Sequence, residues 1–576
     1  MTDARARLGG ATPDTKRRER TLRGPALTIA LALSLLVVFG PMLVAHAALA
    51  FEPLSFADDV RVLIFPLFRL EDPALFPGDP IVDYYLASLP LAYRALYEIL
   101  VPMAGVITVE RALPFIELAV SLYFVARASH ELGGRAAAFG AIGLALGSSY
   151  FSARMAGGLP RGFALPLLAA SSYFLVAGKA RALAVTTVVS AGFYPVASVL
   201  SGLSLAGLLL IPKLDRGDAS AWSSRKRLLV LGITASGVAL LVLPTLAAMR
   251  SYGPSITPAL FSAYPEAGEL GRFDPADRPP FPWFPAASFP YLKLGIVGSG
   301  PPLLALTDLR AHATVLLAVL VPLALLGVAV AAWKDVRARR LGVAYGALML
   351  GHGFSLLVSP RLFLPERYVA YGVPLLAVIS LPGALSLLAE RVSRRLPALL
   401  AFALPFAANA LLLLVISARG VAGAGVTVRV PEWEAAFYRA VGALPKTALV
   451  AGFPGGAIDN VPYLSRRSAF VTRETHMPFH TRFTETLRER TRALVKGYFA
   501  ASRDELVAFR DRSRVTHLLL ERHHLLAPPP YFAPFGPEVN AAFSRGKAAG
   551  FEVERVLERT RVAESGGLVL LDLSKL

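Results

Sequence analysis

Blocks of about 20 residues with few charges recur along this chain, and each is long enough to cross a bilayer. The first, Ala26 to Ala50, contains no Lys, Arg, Asp or Glu. Comparable blocks follow at 106–128, 137–156, 162–178, 182–197, 198–212, 228–249, 312–332, 341–358, 367–389 and 397–417, which makes eleven. Apolar residues are 55% of the sequence and charged residues 17%, with a mean hydropathy of +0.54. Soluble domains carry about 25% charged residues, so a soluble enzyme, a disordered chain and a disulfide-stapled secreted domain are excluded. With no cysteine, thiol catalysis, Cys-ligated zinc and iron–sulfur clusters are excluded too. The pattern predicts a polytopic α-helical membrane protein with a C-terminal soluble α/β domain.

The net charge of +19 reads as topology rather than nucleic-acid binding. Arg5, Arg7, Lys16, Arg17, Arg18, Arg20 and Arg23 precede the first block, which is too long for a cleaved signal core and reads as a signal-anchor. Every second connection is then basic: Arg135; Lys179 and Arg181; Lys213, Arg216, Arg225, Lys226 and Arg227; Lys334, Arg337, Arg339 and Arg340; Arg391, Arg394 and Arg395. The positive-inside rule puts these with the N-terminus in the cytoplasm. The expected organisation is a cytoplasmic basic tail, 1–24, a transmembrane domain, 25–417, with outward loops 51–105 and 250–311, and an outward-facing domain, 418–576. Gly192 and Pro195 interrupt the region 182–212, where two short spans could instead be one re-entrant pair, and the charge alternation downstream requires keeping both spans. The Ala/Arg/Leu-rich composition suits a bacterial inner membrane, with the outward side periplasmic.

Candidate chemistry sits at outward helix ends. FADDVRV (56–62) places Asp58 and Asp59 just beyond the first span. One of two adjacent carboxylates suits a general base toward an acceptor hydroxyl or amine, and the other an orienting group or an oxygen ligand for a divalent cation such as Mg or Mn. Helix capping, or pairing with Arg61 and Arg69, is the structural alternative. In ARMAGGLPRGF (153–163), Arg154 and Arg161 lie at the interface, where guanidinium suits a lipid phosphate bidentately or snorkels to ordinary membrane lipids. In LPERYVAYGVP (364–374), Glu366 and Arg367 enter an apolar helix with Tyr368 and Tyr371. Charges there face a cavity or each other. Asp79, Asp83, Tyr84 and Tyr85 in the first loop, with Glu366, Tyr368, Glu474 and His476, are candidates for acceptor or loop contacts. His476 and His480 have a zinc spacing if helical, which Met477-Pro478 disfavours.

An acidic pair directly after the first span, a long outward first loop, ten or more spans and a C-terminal outward α/β domain resemble the GT-C glycosyltransferases. The layout is similar to that of the protein mannosyltransferases, the aminoarabinose transferase and the catalytic subunit of oligosaccharyltransferase. The resemblance implies transfer of a sugar from a polyprenyl-phosphate carrier to a lipid, glycan or protein acceptor, with one of Asp58 and Asp59 as the catalytic carboxylate. It also implies that the arginine–tyrosine motif at Arg367 contacts the carrier phosphate, with Arg154 and Arg161 as further phosphate ligands. The WWDYG motif of the oligosaccharyltransferases is absent, and AGFPGGAIDNVPYLSRRSAFVTRETH (451–476) stands in that slot.

The second outward loop carries YPEAGELGRFDPADRPPFPWFP (264–285), whose aromatics Phe281, Trp283 and Phe284 suit a loop folded over the membrane face. There is no P-loop and no dinucleotide-binding glycine pattern. A transporter or flippase for a lipid-linked glycan would instead show broken helices in paired repeats. A non-catalytic scaffold would tolerate loss of the acidic pair.

Overall fold

The computed structural model describes residues 25–211, 214, 218–272, 335–358, 365–393, 396–416 and 425–576. The basic tail, the block at 312–332, the aromatics Phe281, Trp283 and Phe284, and Lys213, Arg216, Lys334, Arg394 and Arg395 lie outside the described residues.

Apolar blocks become helices because a bilayer leaves the backbone no other partner than itself. Helix α1 (Pro25–Ala50) exposes Val37 and Val44 by 75% and 71%, a surface that belongs in hydrocarbon. After the first loop, with α2 (Val60–Leu63), α3 (Pro80–Ser88) and α4 (Leu91–Ala104), comes α5 (Val106–Leu146). Its 41 residues would measure about 60 Å if straight, but Gly133 and Gly134 leave helical geometry, Gly134 at φ +69°, and divide it in two. The chain continues through α6 (Ser149–Met155), α7 (Ala164–Ala177), α8 (Ala180–Phe193), α9 (Pro195–Leu210) and α10 (Ser224–Met249). Then come α11 (Val336–Leu357), α12 (Arg367–Ala370), α13 (Gly372–Ser393) and α14 (Ala398–Ile416).

Among the described residues, α1, α5, α10 and the α12–α13 run are long and apolar enough to cross a membrane, and α8, α9 and α14 are shorter apolar helices. The interrupted region resolves into a hairpin. Helix α8 stops at an extended Tyr194, Pro195 opens α9, and Ser198 Oγ donates to the Thr187 carbonyl at 2.8 Å. At 14 and 16 residues these helices reach only about 21 and 24 Å.

Basic connections meet at one end of the bundle. Arg340 donates to the Leu214 and Val176 carbonyls, both at 2.9 Å, Arg337 donates to the Glu131 carbonyl at 2.7 Å, and Asp218 accepts from Ala180 N at 2.8 Å.

After α14 the chain builds β2 (Val428–Arg429), α15 (Glu432–Gly442), β3 (Leu449–Gly452), α16 (Val461–Leu464), β4 (Ser468–Ala469), α17 (Thr481–Tyr498), α18 (Arg503–Ser513), β5 (His517–Glu521) and α19 (Phe535–Ala549). Strands β6 (Arg561–Ser565) and β7 (Leu568–Asp572) complete a five-stranded sheet of order β4-β3-β5-β7-β6. Its first three strands are parallel and the last two antiparallel. The central β5 is buried at every residue, as expected of a strand covered on both faces.

The first loop fuses with this domain. Strand β1 (Ser55–Phe56) pairs antiparallel with β2, Ser55 opposite Arg429. Phe56 and Phe68 pack on Tyr463, and Tyr84 stacks on Phe483 with ring centres 3.6 Å apart. One apolar core therefore runs from the loop into the sheet, separate from the core of the helix bundle.

Candidate active site

The acidic pair is held between these two cores. The β1–β2 ribbon fixes its entry, and the backbone N–H of Asp58 donates to Thr427 Oγ1 at 2.8 Å. Asp59 occupies the N-cap position of α2 but caps no backbone N–H with its side chain, so capping does not explain it. Both carboxylates are ion-paired instead: Asp58 with Arg61, one turn on, and Asp59 with Arg161. Arg69 goes elsewhere, to Asp83 at 2.6 Å.

Glu474, which follows β4 by a few residues, completes an acidic triad. Carboxylate oxygens of Asp58, Asp59 and Glu474 all lie within 4.8 Å of one another. Three guanidiniums balance the three charges. Arg61 is 3.6 Å from Glu474 and donates to Asn460 Oδ1 at 3.2 Å, Arg272 from the segment after α10 is 3.0 Å from Glu474, and Arg161 holds Asp59. Arg61 and Glu474 are only 12% and 13% exposed, where such a charge is stable only if paired.

Arg161 leads from the triad to a second group. It lies close enough to Arg367, Tyr194 and Tyr371 to interact electrostatically. Arg367 Nη1 donates to Tyr371 Oη at 2.9 Å, and the Arg154 guanidinium lies over the rings of Tyr150 and Tyr371 at 4.9 and 5.9 Å. Tyr194 meets Tyr371 edge-on at 5.7 Å. Among the described residues neither Arg154 nor Arg367 has a carboxylate within ion-pair distance. Arg367 turns to the tyrosine four residues on, rather than to Glu366.

Local sequence explains how the arginine loop reaches this place. Gly157 and Gly158 have φ of +86° and +56°, a region glycine enters without strain. The Gly158 carbonyl accepts from both Tyr93 and Tyr97 Oη at 2.9 Å. A Cβ on Gly158 would lie 2.7 Å from the Glu110 carbonyl, so the close approach of this turn to α4 and α5 requires glycine.

Other candidates lie apart from the triad. Asp79 is buried and caps α3 by accepting from Ile81 N at 3.0 Å, and burial pushes its carboxyl up. Tyr84 and Tyr85 form the aromatic seam to α17, with Tyr84 Oη bonded to His480 Nδ1 at 2.9 Å and Tyr85 Oη donating to the Thr475 carbonyl at 2.9 Å. Tyr368 packs inward, where Gly351 leaves room for its ring. His476 is enclosed by Tyr531, Phe532 and Phe535. Burial first, then Arg272 and Arg488, depress its pKa to about 3. His476 and His480 thus face different partners, and the spacing between them carries no shared metal site.

Arg272, Asn460 and Thr427 are the additions, and none carries a local signal. Arg61, expected from the sequence as a partner of the acidic pair, does meet Asp58. Behind Asn460, Asp459 accepts from the backbone N–H of Gly455 and Arg473 at 3.2 and 3.0 Å, and burial pushes its carboxyl up to about 7 despite Arg61 nearby.

No protein-family model matches the chain, and no curated protein matches it. Solved structures do. ArnT from Cupriavidus metallidurans in the apo state is 13% identical, with a TM-score of 0.48 over 94% of this chain and 98% of that one. The same protein bound to undecaprenyl phosphate gives 13% and 0.48, over 95% and 98%. The Archaeoglobus fulgidus oligosaccharyltransferase, in complex with Zn and sulfate, gives 13% and 0.44, over 84% and 68%.

Proposed function

We propose that the chain is an inverting GT-C-type glycosyltransferase that uses a polyprenyl-phosphate sugar at the outward face of a bacterial inner membrane. The observation that carries this reading is the pair of cations, Arg154 and Arg367, with no carboxylate within ion-pair distance among the described residues, beside a fully paired acidic triad. Two arginines that no described carboxylate reaches within ion-pair distance, at the mouth of an apolar bundle, suit the phosphate of a lipid whose tail lies among the helices.

In the proposed reaction an acceptor hydroxyl or amine attacks the anomeric carbon from the side opposite the phosphate. The carbon–oxygen bond to the carrier breaks, polyprenyl phosphate leaves with the bonding electrons, and the acceptor proton passes to Asp58 or Asp59. Arg154 and Arg367 neutralise the leaving phosphate. Asp58, Asp59 and Glu474 form an all-oxygen set that fits Mg or Mn, in competition with Arg61 and Arg161. Such a cation would add Lewis-acid stabilisation of the phosphate.

The test begins with mass spectrometry of lipids copurified with the protein, where a polyprenyl-phosphate sugar is expected and an entire lipid-linked oligosaccharide would favour a flippase. Asp58→Asn and Asp59→Asn are then assayed for transfer from the identified donor. At least one should lose about 100-fold in turnover with unchanged expression. Full activity in both and in the double variant would sink the mechanism.

A further inference from the structure

Away from the triad, at the carboxyl end of β5, three ligand-type side chains converge with no role in the proposed transfer. Donor atoms of Glu521, His523 and His524 lie within 4.8 Å of one another. Glu521 is the last residue of β5, its side chain 8% exposed. One carboxylate oxygen accepts from Ala457 N at 2.9 Å. The other faces His523 Nε2 at 3.9 Å, too far for a hydrogen bond. Two ligands of one zinc ion, with arms of about 2.0–2.2 Å each, can span such a gap. No lysine or arginine pairs with Glu521 among the described residues. The adjacent Arg522 turns to Glu564 at 2.7 Å.

The surroundings are built for this cluster. A Cβ on Gly456 would lie 2.0 Å from Glu521 Oε1, so glycine there clears the carboxylate. His524 Nδ1 is bonded to Tyr498 Oη at 3.0 Å; in the tautomer whose Nδ1–H donates to that oxygen, Nε2 is the ligand atom and the bond is the outer-shell contact that orients metal-bound imidazoles. Tyr498 Oη is itself fixed by accepting from Glu521 N at 2.9 Å. His523 is 69% exposed and can swing to meet an incoming ion.

We infer that Glu521, His523 and His524 bind one transition-metal ion of the zinc class, with a water as fourth ligand. Two imidazoles and one carboxylate suit zinc rather than magnesium, in contrast to the all-oxygen triad at Asp58. The ion has a positioning role. Ala457, tied to Glu521, begins the turn whose last residue, Asn460, accepts from Arg61 beside Asp58. An ion on Glu521 therefore braces the turn that holds Arg61.

The experiment uses the full chain in detergent with any purification tag removed. Zn2+ binding is titrated calorimetrically, and Co2+ is substituted to read tetrahedral absorption bands. The parent is compared with Asp58→Asn/Asp59→Asn, His523→Ala and Glu521→Gln. The proposal expects one equivalent of Zn2+ retained by the aspartate double variant. It expects an affinity at least about tenfold weaker in His523→Ala and in Glu521→Gln, with the Co2+ bands lost. Because His523 is exposed and Gln keeps the acceptor for Ala457, both variants should fold. Absence of Zn2+ uptake by the aspartate double variant, or unchanged affinity in His523→Ala, overturns the site. Neither result bears on the transferase reading, which stands or falls on the activity of the aspartate variants.

Discussion

Replacing Arg367 tests the proposed donor site directly. Its guanidinium donates to Tyr371 and meets no carboxylate within ion-pair distance among the described residues, so truncation strips no structural ion pair. Opposite a phosphate at about 4 Å, with an effective dielectric near 20, the charge contributes about 4 kcal/mol. Truncating one partner of a desolvated pair costs about 2–5 kcal/mol, or about 30-fold to several thousand-fold in Kd. With Arg154 still in place, Arg367→Ala should weaken polyprenyl phosphate binding, under the proposed reading, by about 100-fold. Lysine keeps the charge but loses the planar fork, so Arg367→Lys should cost about tenfold. Tyr371→Phe, which removes one hydrogen bond worth about 1 kcal/mol, should cost about fivefold. Competition binding with a fluorescent polyprenyl phosphate and thermal unfolding are measured on the same samples. A well-folded Arg367→Ala protein with unchanged affinity would remove this residue from the site. An unfolded one rescued by exchanging Glu366 and Arg367 would make the pair structural.

Gly158→Ala should lower stability by about 2–4 kcal/mol, because alanine is strained at φ +56° and its Cβ meets the Glu110 carbonyl; a thermal midpoint equal to the parent's would contradict this. Asp459, with its pKa raised to about 7, binds its proton more tightly when folded. The associated stability is therefore present below about pH 4 and lost as pH rises to about 7. Asp459→Asn keeps the acceptor for Gly455 and Arg473 and should raise the thermal midpoint at pH 8 but not at pH 4; equal shifts at both would refute the assignment. Alkaline phosphatase fused after Ser417 should be active in a bacterial host and inactive after Arg227, and the reverse would move Asp58 and Asp59 to the cytoplasm.

What is legible in the sequence follows the range of each interaction. Apolar blocks and their basic connections are properties of neighbours along the chain, so the helices stand out without any tertiary knowledge. Arg154, Arg161 and Arg367 stand out as cations at helix ends, but their approach to one another depends on how α6, α7 and α12 pack. Tyr371, at i+4, shares a helix face with Arg367 and bonds it, whereas Tyr368, at i+1, turns away and packs at Gly351. Glu474 and Arg272 lie hundreds of residues from Asp58, and no local pattern announces a triad assembled over such distances. The His476–His480 spacing carried a local signal against itself, in the intervening proline.

The short ribbon between Ser55–Phe56 and Val428–Arg429 has a consequence for biosynthesis. A ribosome delivers the acidic pair early and its partners Thr427, Asn460 and Glu474 more than 360 residues later. Contacts that distant in sequence form late. Until residues 425–576 have been made and folded, Asp58 and Asp59 lack the surroundings described above, and a partial chain in the membrane holds carboxylates but no assembled centre. Under the transferase reading, a nascent enzyme therefore cannot squander carrier-linked sugar while it is still being made.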